Sequence, residues 1–370
     1  MPKAKVFYKP RKKKTPVNAK GKIIARKLKK KIKLFAFAFF AVGIAALVLT
    51  GVSAYKFANA PFTGATNADF NDTEGIWKED ETNILLMHVN DLSNKSAEIE
   101  DLFLINFDGT NHRYAIYKIP VDEEIEYALN YGKGTLRNVY KTGNQDQDRG
   151  IYITQKTILK QFAVKIDGYV VIDKSGSEKL LSQINGINPS DLSASLRLKN
   201  WPKIPSLVSE FRETTLTNLK FADLYSIITF TRQTSETSSK VVELTKYQLL
   251  DANQWDQLWQ EGQSLSPVKH EAIKIFVANA SANPRIPGLA NWGTRVAQNT
   301  GASVLEADNS FVEFEENTII TDNPELATVR KLAQTLGIKK VIHINDLNRD
   351  QDYNQQIFRT QVTLVLVTAL

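Results

Sequence analysis

Apolar and polar positions fall into short runs along most of the chain, and those runs predict strands and helices in turn. NILLMHV at 83–89 is an apolar run with polar flanks and predicts a buried strand. DLFLINF at 101–107 and RYAIYKI at 113–119 predict two more, with Asp108-Gly109-Thr110-Asn111 between them as a hairpin turn. The third run meets Pro120, which has no N–H for a ladder and ends the pairing. Asp122, Glu123, Glu124 and Glu126 follow, and beyond the aspartate they read as a solvated acidic turn. A Gly- and Asp-rich stretch at 132–150 precedes IYITQKTILKQFAV, which reads as a helix, and GYVVID at 168–173, which reads as a strand. SGSEKLLSQINGI then predicts a helix capped by Ser177, with Leu180, Leu181 and Ile184 on one face and Gly186 at its end. PKIPSLVSEF and NLKFADLYSIITF predict two further helices, and SSKVVELT a short strand.

A second strand–helix rhythm occupies residues 271–370. IKIFVANA, SVLEA, NTIITD, KKVIHI and QVTLVLVTAL supply strand segments, for a small sheet of about four strands. PGLANWGTRVAQNTG predicts a helix with Pro287 in its first turn, Leu289, Trp292 and Val296 on one face, and Gly301 at its end. PELATVRKLAQTLG predicts another, from Pro324 to Gly337. The joining segment 251–270 carries Trp255 and Trp259 at i and i+4, a shared helix face that suits packing better than a sugar platform.

Residues 34–55 hold 22 positions without a formal charge, enough to cross a hydrocarbon core of about 30 Å as a helix. A lysine-rich segment precedes them, so the expected topology is N-terminus inside and the larger part of the chain outside. A cleaved signal peptide is the competing reading, with Ala58-Asn59-Ala60 as its cleavage site, but Pro61 is a poor residue just after a cut and the basic region is long. The expected organisation is a basic cytoplasmic tail (1–33), a transmembrane helix (34–55), a linker (56–80), an α/β sandwich domain (81–250), a connecting segment (251–270) and a small C-terminal α/β domain (271–370). That makes a single-pass cell-membrane protein with extracytoplasmic domains.

Charge narrows the partners. Residues 1–33 carry 13 Lys, 2 Arg and no acid, +15 against a net +7 for the chain, so the remainder carries −8. The basicity is a tail beside anionic lipid, and the acidic body is a poor match for a nucleic-acid backbone. Cysteine is absent, which removes disulfides and thiolate chemistry together. The four histidines, His88, His112, His270 and His343, lack zinc-motif spacing, and neither a serine-hydrolase elbow nor a phosphate loop occurs. NQDQDRG at 144–150 has alternating carboxylate and amide positions like a calcium loop, but its glycine falls one residue late and Gln155 replaces the expected glutamate. It reads as a turn.

A basic N-terminus, one apolar span, NILL, an Asp-led strand, a strand ending in Ile-Pro-x-Asp, and DGYVVIDKSGSEKLLSQINGI together resemble the LytR-CpsA-Psr (LCP) family. HEAIKIFVANAS followed by PGLANWGTRVAQNTGASV resembles the LytR C-terminal domain. The resemblance implies a membrane-anchored α/β protein that moves a glycopolymer from a polyprenyl-diphosphate carrier to the cell wall. Arginines would clamp the diphosphate, and carboxylates would hold Mg2+ against it.

Residue by residue, the clamp is depleted. The family's Arg-x-Asp falls on Ile99, Glu100 and Asp101, and its Ile-Pro-Arg-Asp on Ile119, Pro120, Val121 and Asp122, so both aspartates remain and both arginines are replaced. Its Lys-x-Asn falls on Thr135, Leu136 and Arg137, ahead of Tyr140. The Tyr-x-Arg-x-Arg block expected after QINGI is missing. The resemblance therefore leaves a candidate residual site of Asp101, Asp122, Arg113, Lys118 and Arg137, with Asp101 and Asp122 on the metal side and no assigned catalytic residue. Arg149 and Arg212 are further basic substitutes. Three readings follow: a non-catalytic relative that binds a lipid-linked glycan or wall polymer, an active phosphotransferase with relocated basic residues, and an envelope protein whose C-terminal domain docks a partner.

Overall fold

The alternation between 83 and 119 is realised as three antiparallel strands, β1 (Glu81–Val89), β2 (Ile99–Asp108) and β3 (Arg113–Ile119). The computed structural model describes residues 81–174, 214–262, 266–282, 285–348 and 351–369, apart from 221, 224, 225, 228, 229, 231, 232 and 235–237. The tail, the apolar span, the linker and the helices expected around 177–186 and 202–211 lie outside the described residues. No helix among the described residues is long and apolar enough to cross a membrane.

Side chains alternate cleanly in β3, where Ala115, Tyr117 and Ile119 are buried and Tyr114, Ile116 and Lys118 are only half-buried. The buried set faces a core with Leu85, Met87 and Val89 of β1 and Leu102 and Leu104 of β2. The hairpin at 108–112 forms without a two-residue Asp-Gly turn. Asp108 accepts the Asn111 backbone N–H at 3.1 Å, and His112 takes the left-handed conformation at φ 48°.

After β3, the acidic turn proves more structured than the sequence suggests. β4 (Glu124–Glu126) pairs with β5 (Lys133–Thr135), and Ile125 is buried between two exposed glutamates. The 132–150 stretch also contains a helix, α1 (Leu136–Gln145), whose Leu136, Val139 and Tyr140 face the core at i, i+3 and i+4. It meets α2 (Gly150–Phe162) glycine to glycine: a Cβ on Gly143 would lie 2.7 Å from the Gly150 Cα. The 144–150 segment is the connection between these helices, with Lys95 on Asp148 at 2.8 Å, and no three metal-ligating side chains cluster among the described residues.

β6 (Gly168–Asp173) runs parallel to β1, β8 (Ser239–Glu243) parallel to β3, and β7 (Thr215–Thr217) antiparallel to β6. The result is a mixed six-stranded sheet in the order β7-β6-β1-β2-β3-β8. α3 (Lys246–Leu250) carries a capping box between Thr245 and Gln248. α4 (Ala252–Gly262) drives Trp255 and Trp259 into the core beside Tyr117 and Phe162, the packing role expected of the pair.

The second sheet has five strands where about four were expected. β9 (Lys274–Asn279), β10 (Ser303–Asn309), β11 (Thr318–Thr321), β12 (Lys340–His343) and β13 (Val362–Leu366) lie in the order β10-β9-β13-β11-β12. Around it stand α5 (Pro267–Glu271), α6 (Leu289–Asn299) and α7 (Ala327–Leu336). The two expected prolines precede their helices: Gly288 caps α6 and Leu326 caps α7, so Pro287 and Pro324 belong to the approaches. Gly337 ends α7 at φ 68°, as its spacing predicted.

Candidate functional site

One face of the first sheet ends in charge. His88, Asp101 and Lys118 lie on the side of β1, β2 and β3 opposite the core, at the end of the sheet where β1, β3, β6 and β8 all finish. The antiparallel register sets His88 directly across from Asp101, with His88 Nδ1 3.7 Å from Asp101 Oδ2. Lys118 reaches Asp101 at 3.4 Å and Glu243 of the neighbouring strand at 3.6 Å.

The same edge gathers three further ion pairs. Lys174, just after β6, meets Glu100 at 3.3 Å, and Lys141 of α1 meets Glu98 at 3.0 Å. Arg137, in the first turn of α1, donates to Asp122 from Nε at 2.8 Å and Nη2 at 2.6 Å, and from Nη1 to the Ile99 carbonyl at 3.3 Å. Its backbone N–H donates to the Val121 carbonyl at 2.8 Å, which pins the helix start to the end of β3.

Four of the five candidate residues therefore share one edge, in two groups: Lys118 on Asp101, and Arg137 on Asp122. Arg113 is the exception. It sits at the opposite end of β3, five residues and about 17 Å from Lys118 along the strand. A side chain that starts there cannot join a clamp at Asp101. On the metal side, each aspartate carries a cation, and no three metal-ligating groups converge among the described residues. His88, Glu98, Glu100, Lys141, Lys174 and Glu243 were not expected at the site. The cue available in the sequence was register: the 108–112 hairpin sets position 118 across from 103, and the short connection between β1 and β2 sets position 88 across from 101.

Two more carboxylates of the acidic turn are paired as well. Glu123 meets Lys246 at 2.7 Å and Glu126 meets Lys160 at 2.9 Å. The hydrogen bond and charge of Lys160 hold the Glu126 carboxyl below the usual carboxylate range. Val121, where the resemblance expects an arginine, is 6% exposed and belongs to the hydrophobic core.

No family model and no curated protein sequence matches the chain. Among solved structures, Bacillus subtilis TagV is similar at 16% identity, over 46% of this chain and 86% of its own, with a TM-score of 0.36. A Bacillus subtilis protein described as the transcriptional regulator yvhJ is similar at 16% identity, over 46% and 84%, with a TM-score of 0.34. TagT bound to LIIa-WTA is similar at 15% identity, over 50% and 92%, with a TM-score of 0.37. With identities this low and TM-scores below 0.5, these likenesses fix neither a family nor a chemistry for this chain.

Proposed function

We propose that this chain is a membrane-anchored, extracytoplasmic envelope protein that binds a lipid-linked glycan or wall polymer without transferring it. One observation carries the reading. At the candidate edge, the four cations Lys118, Arg137, Lys141 and Lys174 are matched by the five carboxylates Asp101, Asp122, Glu98, Glu100 and Glu243. Phosphoryl transfer depends on a net positive, preorganised field around the phosphates. Among the described residues, the charges of this edge are balanced rather than net positive, and a core valine occupies one clamp position.

The anchor rests on the apolar span at 34–55 and the basic segment before it. The LCP-type scaffold rests on the sequence resemblance and on the retained Asp101 and Asp122.

A second reading, an active phosphotransferase with relocated basic residues, has its own support. Arg137 touches Asp122 and the carbonyl of Ile99, one residue from each of the two vacated arginine positions or on it. The two readings differ in one assay. Full-length protein in lipid nanodiscs is given polyprenyl-diphosphate-linked glycan, Mg2+ and purified sacculi. Binding of the donor or the sacculi with no release of polyprenyl phosphate is expected. Release that depends on Asp101, tested with Asp101→Ala, would establish the transferase instead.

A further inference from the structure

The two sheets meet across a largely buried polar seam. Arg295 of α6 clamps both oxygens of Asp256 on α4, from Nε at 2.6 Å and Nη2 at 3.1 Å, and also donates to the Gln161 carbonyl at the end of α2. Asn299, one turn further along α6, donates to Asp256 at 2.7 Å and to the Phe162 carbonyl at 3.1 Å. Its own carbonyl accepts the Trp259 indole N–H at 3.2 Å, and its side-chain oxygen accepts from Gln260 at 3.1 Å.

A second tie lies at the start of β1. Lys331 of α7 meets Glu81 at 3.0 Å, with the two side chains only 13% and 9% exposed, and Glu81 also accepts from Asn106 at 3.0 Å. Glu81 is seven residues from His88, so this contact sits about 23 Å along the strand from the ionic edge.

Such a seam differs from the contact of two tethered modules. Each charge in the seam has its counter-charge on the other unit, and separation breaks two ion pairs and five or more hydrogen bonds at once. Inter-domain contacts that permit relative motion are wetter and less interlocked.

We propose that residues 266–369 form a permanent intramolecular complex with the first sheet. The C-terminal unit stays bound through the Arg295–Asp256–Asn299 and Lys331–Glu81 contacts without needing the chain that links it. It is a fixed wall at the end of the sheet away from the ionic edge, and so cannot swing to that edge as a mobile docking module. This inference does not depend on the proposed function.

The test cuts the link after folding. A specific protease site is placed in the 263–265 segment of the full-length chain, the protein is purified in detergent and cleaved, and the two pieces are followed by size-exclusion chromatography. The pieces are expected to co-elute down to about 1 µM. With Arg295→Ala and Lys331→Ala together, they are expected to separate at concentrations at least about tenfold higher. Arg330→Ala, which removes the exposed pair with Glu325 and no contact across the seam, is expected to leave co-elution unchanged. Separation of the unsubstituted pieces at 1 µM overturns the proposal, as does equal retention by the doubly substituted pieces. If the doubly substituted chain fails to fold, the unsubstituted measurement decides alone.

Discussion

Arg137 and Asp122 form a two-point contact, with Nε and Nη2 of the guanidinium at 2.8 and 2.6 Å from one carboxylate oxygen. The Asp122 side chain is 75% exposed, so solvent screens the pair and its contribution to stability is on the order of 0.2–1 kcal/mol. Its place beside the retained aspartate matters more than its strength. Arg137→Met is expected to lower the melting temperature by less than about 4 °C while weakening binding to vesicles that carry polyprenyl diphosphate by about tenfold or more. Thermal melting and vesicle co-sedimentation check the two halves. Unchanged binding would remove Arg137 from any phosphate site.

Reintroducing the absent arginine is expected to harm the protein. Val121 is packed in the core, and an arginine there must either bury an unpaired charge or expel its neighbours. Val121→Arg is expected to cost about 3 kcal/mol, seen as a lowered urea midpoint, with no transferase activity gained. A stable variant that releases polyprenyl phosphate would show instead that the scaffold still supports catalysis.

Most strands of the two sheets were legible because their apolar runs are short, flanked by turn residues and, in β3, strictly alternating, whereas the three-residue β7 is too short to give such a run. α1 was harder. Its Leu136, Val139 and Tyr140 face is only three residues wide and lies among glycines and polar residues that read as a loop. The site was legible in part: Asp101, Lys118, Asp122 and Arg137 follow from the resemblance one by one, yet their partners depend on contacts between residues as distant in sequence as Lys118 and Glu243. Arg113 was misplaced because strand membership says nothing about which end of the sheet a residue occupies until the hairpin register is known. In the second sheet the part-exposed edge strands β10 and β12 lie on SVLEA and KKVIHI, which the pattern marked, so all five segments were legible and only the count of about four fell short.

Alkaline pH should weaken the fold through two buried phenols. Tyr117 is 1% exposed and Tyr169 2%. Burial pushes both pKa values up to about 12, with Glu261 and Glu81 adding to the effect at Tyr117. In the unfolded chain these groups ionise near 10, so the folded state binds the proton more tightly. Their contribution is fully present below about pH 10 and is lost as pH rises towards about 12, by up to about 2–3 kcal/mol for each group. Urea midpoints are expected to fall between about pH 9 and about pH 11.5, and to fall less in Tyr117→Phe. An identical slope in the variant would assign the effect to other groups.

The acid side depends on Glu271, at the end of α5. Its carboxylate accepts the Ala327 N–H at 2.6 Å, the Thr328 N–H at 2.9 Å and the Thr328 hydroxyl at 2.7 Å, tying α5 to the first turn of α7. Partial burial pushes the carboxyl up, but the hydrogen bonds from Thr328 and Ala327, with the charge of Arg330, prevail and hold it below the usual carboxylate range. A depressed carboxyl stabilises the fold above its unfolded pKa, and that contribution is lost as pH falls through the folded value. Glu271→Gln keeps the shape but turns an NH2 towards backbone donors, so it is expected to cost about 1–2 kcal/mol at neutral pH. The gap between wild type and variant is expected to close below about pH 4, as the wild-type carboxyl takes up its proton. Scanning calorimetry from about pH 3 to about pH 7 reads that convergence. A gap that stays constant with pH would trace the loss to packing rather than to the charge on Glu271.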